Sequence, residues 1–173
     1  MNVPEILSRT EHDIYLSDNG PNFIEPLTNP SKDIKAALKG FGEKHWEAQF
    51  NASSTIRRAL RHHQSEITTS TLNSIMEKLS LASDSLRSQV AKNALLALTD
   101  LFSYRPYLQN GQIGDAEITQ SYSKLLKKAA DTNQFLSIEA SAALSNLVAN
   151  TPYAKSIQQL NTFYEEKSVN MRK

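Results

Sequence analysis

The chain of 173 residues contains no cysteine. That excludes a disulfide framework, a cysteine zinc site and a thiol nucleophile. Glycine is scarce, at five residues, and four of the six prolines (Pro4, Pro21, Pro26, Pro30) fall within the first thirty positions. The rest of the chain is therefore short of helix breakers and rich in Ala, Leu, Ser and Lys, a composition that favours helix. No apolar run approaches the ~20 residues of a membrane span. The opening "MNVPEILSRTEHD" also lacks the apolar core of a signal peptide. A membrane is therefore not an expected partner, and the cytoplasm is the expected compartment. Charge of one sign is missing too: 19 basic and 18 acidic residues give a formal net charge of +1. Nucleic-acid binders normally carry a clear basic excess, so nucleic acid is not an expected partner either.

Motifs of chemistry are equally sparse. The four histidines are His12, His45, His62 and His63. Adjacent helical residues point about 100° apart, so His62 and His63 do not share a face, and they read as a solvated helix end. No His-Glu-x-x-His, glycine-rich phosphate loop or Gly-x-Ser-x-Gly elbow occurs. The chain reads as a non-enzyme, with no cofactor and no metal site.

The chain is long enough for one domain with a real core. Residues 1–30 read as an irregular arm, with Asn-Gly-Pro at 19–21 and Asn-Pro at 29–30 as turn signals. A short helical turn at "EILSR" and packing by Ile14, Tyr15, Phe23, Ile24 and Leu27 fit that arm. From Ser31, a candidate N-cap, helical periodicity takes over. Gly40 and Gly42 end the first helix. Further helices are expected at 46–63, 65–82, 86–102, 115–130, 137–150 and 153–167. The third carries Leu72, Ile75, Met76 and Leu79 at i, i+3, i+4, i+7 spacing. The fourth, with Val90, Ala94, Leu95, Leu98, Leu101 and Phe102, is the most apolar. The sixth shows Ile138, Ala142, Leu144, Leu147 and Val148 as its face.

Helix starts at Trp46, Leu86 and Leu136 recur every 40 to 50 residues. That is the period of paired-helix HEAT and armadillo repeats. The expected fold is all-α, a HEAT/armadillo-like helical-repeat solenoid, with an irregular bundle as the competing arrangement. In a stack of helix pairs the turns within pairs line up along one edge. Those turns are "GFGEKHW", "ASDSLRS" and "ADTNQFL". Trp46, the only tryptophan, reads either as an exposed anchor flanked by a cation or as a core residue that caps the first pair. Arg87 reads either as a binding residue or as a solvated helix residue.

Three blocks carry a family likeness: "HWEAQFNASSTIRRALRHHQSEI", "LRSQVAKNALLALTDLF" and "LLKKAADTNQFLSIEASAALSNLVANTPYAKSI". In order, over roughly residues 32–160, they resemble TOG domains of the CLASP type, and in particular the TOG-array regulators of axonemal microtubules. The resemblance implies a HEAT array whose loops within repeats bind tubulin along one edge. It implies Lys44 and Trp46 in the first loop, Ser85 and Arg87 in the second, and Asn133 and Gln134 in the third as tubulin-binding residues. It implies a TOG-like domain over 31–168, a tail at 169–173, and a place in the cytoskeleton, at the cilium or axoneme. A full TOG domain holds more units than the three and part of a fourth read here. The C-terminal end is therefore expected to be open, with Phe163, Tyr164 and Val169 marking a face for another protein. Two functions follow: a tubulin- or microtubule-binding regulator of microtubule dynamics, or a protein–protein scaffold of the same fold that does not bind tubulin.

Overall fold

The computed structural model describes residues 24–104, 107, 108 and 110–165, with side chains as far as 161. Residues 1–23 and 166–173 lie outside it, and with them the expected turn at "EILSR", Ile14, Tyr15, Phe23 and Val169; the side chains of Phe163 and Tyr164 do too. Helices of 11 to 17 residues make up about three-quarters of what is described. They are α1 (Pro30–Gly40), α2 (Trp46–His62), α3 (Thr69–Ala82), α4 (Ser88–Ser103), α5 (Asp115–Ala129), α6 (Gln134–Asn150) and α7 (Tyr153–Glu165).

The helix starts follow local chemistry. Pro30, not Ser31, opens α1: its φ is preset for a helix and its missing N–H costs nothing in the first turn. Asn29 occupies the cap position without a side-chain bond of its own. Instead its N–H donates to Asp33 Oδ2 at 3.3 Å, and the Asp33 N–H returns to Asn29 O at 2.9 Å. The third helix starts at Thr69 rather than Ser65. A 3₁₀ turn at Gln64–Glu66 and extended Ile67 intervene, and Thr68 Oγ1 then caps by accepting from the Thr71 N–H. α5 has Asp115 and Glu117 in its first turn and Lys127 and Lys128 in its last, matching the helix dipole at both ends.

The helices form two layers. α1–α2, α3–α4 and α5–α6 pack as pairs; α2, α4 and α6 also pack in series, and α1, α3, α5 and α7 contact one another in series on the other side. This is the expected all-α HEAT-like solenoid. α4 lies in the middle and is the most buried helix, with Val90, Ala91, Ala94, Leu95, Ala97, Leu101 and Phe102 fully enclosed.

Polar stitches run through the α2–α4–α6 layer. Asn93 Nδ2 donates to Phe50 O and Ser54 Oγ, both at 2.9 Å. Asn150 Nδ2 donates to Phe102 O at 2.9 Å, and Asn146 Nδ2 to Thr99 O at 3.2 Å. Asp100 on α4 is gripped from α2 by Arg57 Nε at 2.7 Å and by Arg61 Nη2 at 2.6 Å. Pairing matters here because an unpaired buried charge or amide would cost several kcal/mol; of the Asn93 amide only the Nδ2 side is satisfied, its Oδ1 being buried without a hydrogen-bond partner among the described residues.

Two readings of side-chain direction are corrected. On α6 the buried residues are Ala140, Ala143, Leu147 and Asn150, whereas Ile138 is 65% exposed, and Ala142 and Val148 also face out. α6 is apolar on nearly every side, so periodicity alone cannot choose its inner face. Packing against α4 and α5 selects the alanines, which allow close approach. His62 and His63 are not a solvated helix end. The Leu27 N–H donates to His63 Nε2 at 2.9 Å, and His62 Nε2 lies 2.7 Å from Ile24 O. Arg58 adds bonds to Glu25 O and Pro26 O. Residues 24–29 therefore form a strap across the end of the α1–α2 pair, with Ile24 and Leu27 buried beneath it.

Candidate functional site: the edge of loops within helix pairs

The three turns within pairs, 41–45, 83–87 and 130–133, share one edge of the molecule. Phe41 and Gln49 of the first pair and Lys78, Leu81, Asp84 and Ser85 of the second line one groove of about 230 Å³. Second and third turns are tied by charge: Lys124 Nζ and Lys128 Nζ of α5 lie 2.5 and 2.8 Å from the Asp84 carboxylate. Beside them Lys92, one turn into α4, pairs with Glu139 at 3.4 Å and lies 4.5 Å from the centre of the Phe135 ring at the start of α6.

The first turn is a tight exit from α1. Phe41, Gly42 and Glu43 N–H groups donate to Ala37, Lys39 and Gly40 carbonyls in turn. Gln49 Nε2 closes it by donating to Glu43 O at 2.8 Å. Lys44 and His45 are exposed. Trp46 is the first residue of α2, partly buried, and packs against the hydrophobic core. It therefore unites the two sequence readings, a ring seated on the core with part of its surface left open at the edge.

The second turn is the most unusual. Ser83 Oγ donates to Ser80 O, and the Asp84 and Ser85 N–H groups donate to Leu81 and Ala82 carbonyls. Ser85 Oγ then accepts from the Arg87 N–H at 3.2 Å. α4 starts at Ser88, so Leu86 and Arg87 belong to the turn and not to the helix. Leu86 is fully exposed, at 103% of its reference area, and Leu81 nearby is 61% exposed. Arg87 is exposed and occupies the N-cap of α4 with no side-chain cap bond. A cation at that position faces the positive end of the helix dipole and leaves the first N–H groups uncapped. Neither residue adds to local stability where it stands.

Burial pushes the Asp84 carboxyl up, but hydrogen bonds and charges from Lys124 and Lys128 together outweigh it and hold the group below its ordinary range. The Asp84 staple fixes the turn while leaving Leu86 and Arg87 projecting.

In the third turn Asn133 has a structural duty. Its Oδ1 caps α6 by accepting from the Phe135 N–H at 3.1 Å, while its own N–H donates to Asp131 Oδ1 at 2.9 Å. Gln134 is the first residue of α6, not a turn residue, because that cap starts the helix three positions earlier than Ser137. Both are exposed. Lys44, Trp46, Ser85, Arg87, Asn133 and Gln134 thus lie along a common edge. The sequence places Leu86 both in the turn "ASDSLRS" and at the start of the following helix, and the helix start at Ser88 decides for the turn. The Asp84–Lys124 contact links positions 40 residues apart, so no spacing rule shows it.

Among the described residues, no group of three or more His, Asp or Glu side chains converges as a metal site. Nor is any described helix long and apolar enough to cross a membrane. Stacked helix pairs with a row of aligned turns define a HEAT-type helical-repeat protein. The CLASP N-terminal family matches residues 31–173, and the chain belongs to that family. It is also similar to TOG array regulator of axonemal microtubules protein 1 of Homo sapiens, with 28% identity over 137 residues. The Mus musculus protein of the same name is 26% identical over 137 residues. Those matches cover 79% of this chain but only 8% and 7% of the relatives' own lengths. No solved structure matches the chain significantly.

Proposed function

We propose that this protein binds tubulin or microtubules without catalysis, through the edge formed by its three turns, and so regulates microtubule dynamics. One observation carries the reading: the second turn displays a fully exposed Leu86 beside Arg87, a cation that forgoes a helix cap. An apolar anchor next to a charge is the chemistry of a binding hot spot. Trp46 and Lys44 repeat the pairing of apolar surface and cation on the first turn, and Asn133 and Gln134 add polar contacts on the third. The relatives' names refer to axonemal microtubules. They support a microtubule-related role and a place in the cytoskeleton, at the cilium or axoneme. The tubulin surface is acidic, which suits the two cations. Binding holds tubulin in one geometry, and no bond is made or broken.

The test is co-sedimentation with microtubules and size-exclusion with soluble tubulin, at low and moderate salt. Wild type is compared with the Trp46→Ala, Arg87→Glu double variant and with Leu86→Asp. Saturable binding lost in both variants supports the reading. A folded wild type that binds neither form of tubulin overturns it and leaves the scaffold reading, for which the exposed face of α6 and α7 speaks.

A further inference from the structure

The strap of residues 24–29 is held to the end of α2 by side chains of two kinds. Arg58 donates to Glu25 O and Pro26 O, and an arginine keeps its charge and its donors whatever the pH. The two histidines differ from it and from each other. The Leu27 N–H donates to His63 Nε2 at 2.9 Å, and a backbone N–H can only donate. His63 Nε2 is therefore bare, and the ring is the neutral tautomer with its proton on Nδ1. His62 Nε2 lies 2.7 Å from Ile24 O, and a carbonyl can only accept. His62 therefore carries a proton on Nε2, and it makes that bond equally as a neutral or a charged ring. A second proton has different effects on the two neighbours. At His62 it leaves the donor in place. At His63 it lands on the one atom that has to accept, and sets N–H against N–H.

We propose that His63 is a pH-operated latch: neutral, it holds the Leu27 backbone on α2; protonated, it releases Leu27 while His62 keeps Ile24 anchored. The surroundings give the incoming charge no partner. Arg58, Arg61 and His62 stand on the same helix, with the His62 ring 6.4 Å away. Asp100 of α4 is taken by Arg57 and Arg61, and Asp33 of α1 by the Asn29 N–H. Glu25 of the strap, Glu66 of the 3₁₀ turn and Lys32 of α1 are exposed, and the first turn of α3 holds only Thr and Ser. The Tyr107 hydroxyl donates to Gln64 O at 3.5 Å and stays neutral, since burial raises it. Among the described residues no carboxylate pairs with His63. The ring is partly open to solvent, so it exchanges protons without unfolding of the chain. The strap is therefore seated at high pH and loosens at Leu27 as pH falls through the range where imidazoles ordinarily charge, about pH 8 to 5. Leu27 is 6% exposed and walls a groove of about 390 Å³ between α1 and α2, with Ala37, Gly40 and Ala52. Its release bares that groove, so the latch couples pH to the shape of the α1–α2 pair.

The test follows the full chain by NMR from about pH 8 to about pH 5. At the upper end the ring ¹⁵N signals of His63 should show a bare Nε2 and a protonated Nδ1, and the Leu27 amide should be protected from exchange. On acidification that protection, corrected for the intrinsic exchange rate, should drop about tenfold or more. The drop should coincide with the titration of the His63 ring signals, while the Leu72 amide, bonded to Thr68 O, stays protected. His63→Gln offers a carbonyl acceptor that takes up no proton, so Leu27 should stay protected with no pH step. His62→Gln keeps a donor for Ile24 O, and the step should remain. Far-UV circular dichroism checks that each variant is folded. A proton on His63 Nε2 at the upper pH, Leu27 protection that ignores pH or steps away from the His63 titration, or a step that survives His63→Gln would each overturn the proposal. None of these outcomes depends on tubulin.

Discussion

Lys128, in the last turn of α5, places its ammonium 2.8 Å from the Asp84 carboxylate in the turn between α3 and α4. The contact joins one repeat to the next at the edge and not in the core. It holds the turn from the Asp84 side while the following residues, Leu86 and Arg87, project. Position at this edge is thus set by a salt bridge accessible to water, which makes it sensitive to pH and salt.

Against the opposing effect of partial burial, Lys124 and Lys128 hold the Asp84 carboxyl of the folded protein below its ordinary value. Its contribution to stability is therefore fully present above the unfolded pKa and is lost as pH falls through the folded value. Below about pH 4, amides 83–88 are expected to exchange faster in hydrogen-exchange NMR, while those of α4 stay protected. Asp84→Asn should produce the same local loosening at neutral pH. The cost is about 1 kcal/mol or less, because the carboxylate is 55% exposed. Unchanged exchange at 83–88 in Asp84→Asn would show that the staple does not order the turn.

Asp100 is the opposite case, a carboxylate 9% exposed and held by two arginines of the preceding repeat. Asp100→Ala leaves Arg57, 1% exposed, without its counter-charge. The expected loss is about 3–5 kcal/mol in urea denaturation, enough to unfold a marginal domain. Replacing the two buried members by apolar residues, Arg57→Met with Asp100→Leu, while Arg61 keeps its access to solvent, should recover much of that loss. A double variant no more stable than Asp100→Ala would mean that the network matters through geometry and not through charge.

The strap offers a third test. Leu27 is 6% exposed and its N–H is received by His63. Starting the chain at residue 30 removes Ile24, Leu27 and the four strap hydrogen bonds to Arg58, His62 and His63. Burial of two aliphatic side chains is worth about 1.5–3 kcal/mol each, so the shortened chain should melt several degrees lower than the full one. Equal melting temperatures would show that the strap merely rests on α2.

Much of the fold was legible in the sequence because the helices are amphipathic and the breakers are few. Leu72, Ile75, Met76 and Leu79 lie buried as their spacing implies. The repeat period exposed the pairing, and the family blocks pointed to the edge of turns. Three features escaped for physical reasons. α6 is apolar on nearly all sides, so spacing could not say that Ala140 and Ala143 turn inward and Ile138 outward. The histidine pair looked solvated because its partners, Ile24 O and the Leu27 N–H, are backbone groups more than thirty positions away. The full exposure of Leu86 escaped because it stood both in the turn "ASDSLRS" and in the pattern of the helix that follows, and the helix start at Ser88 decides for the turn.

The last prediction separates stability from binding at one position. Arg87 is the N-cap of α4, where serine or aspartate would accept a hydrogen bond from the first turn and complement the dipole. A purely structural position would therefore be improved by either replacement. Arg87→Ser and Arg87→Asp should each stabilise the protein by about 0.5–1 kcal/mol in chemical denaturation. If the edge of turns binds tubulin, the same two variants should bind it more weakly, with Arg87→Asp the weaker and its deficit shrinking as salt screens the charge. Higher stability with unchanged binding would remove Arg87 from the site and leave Leu86 and Trp46 to carry it. Lower stability would mean that the arginine is held by contacts that outweigh a proper cap, so that its place at the N-cap is a structural one.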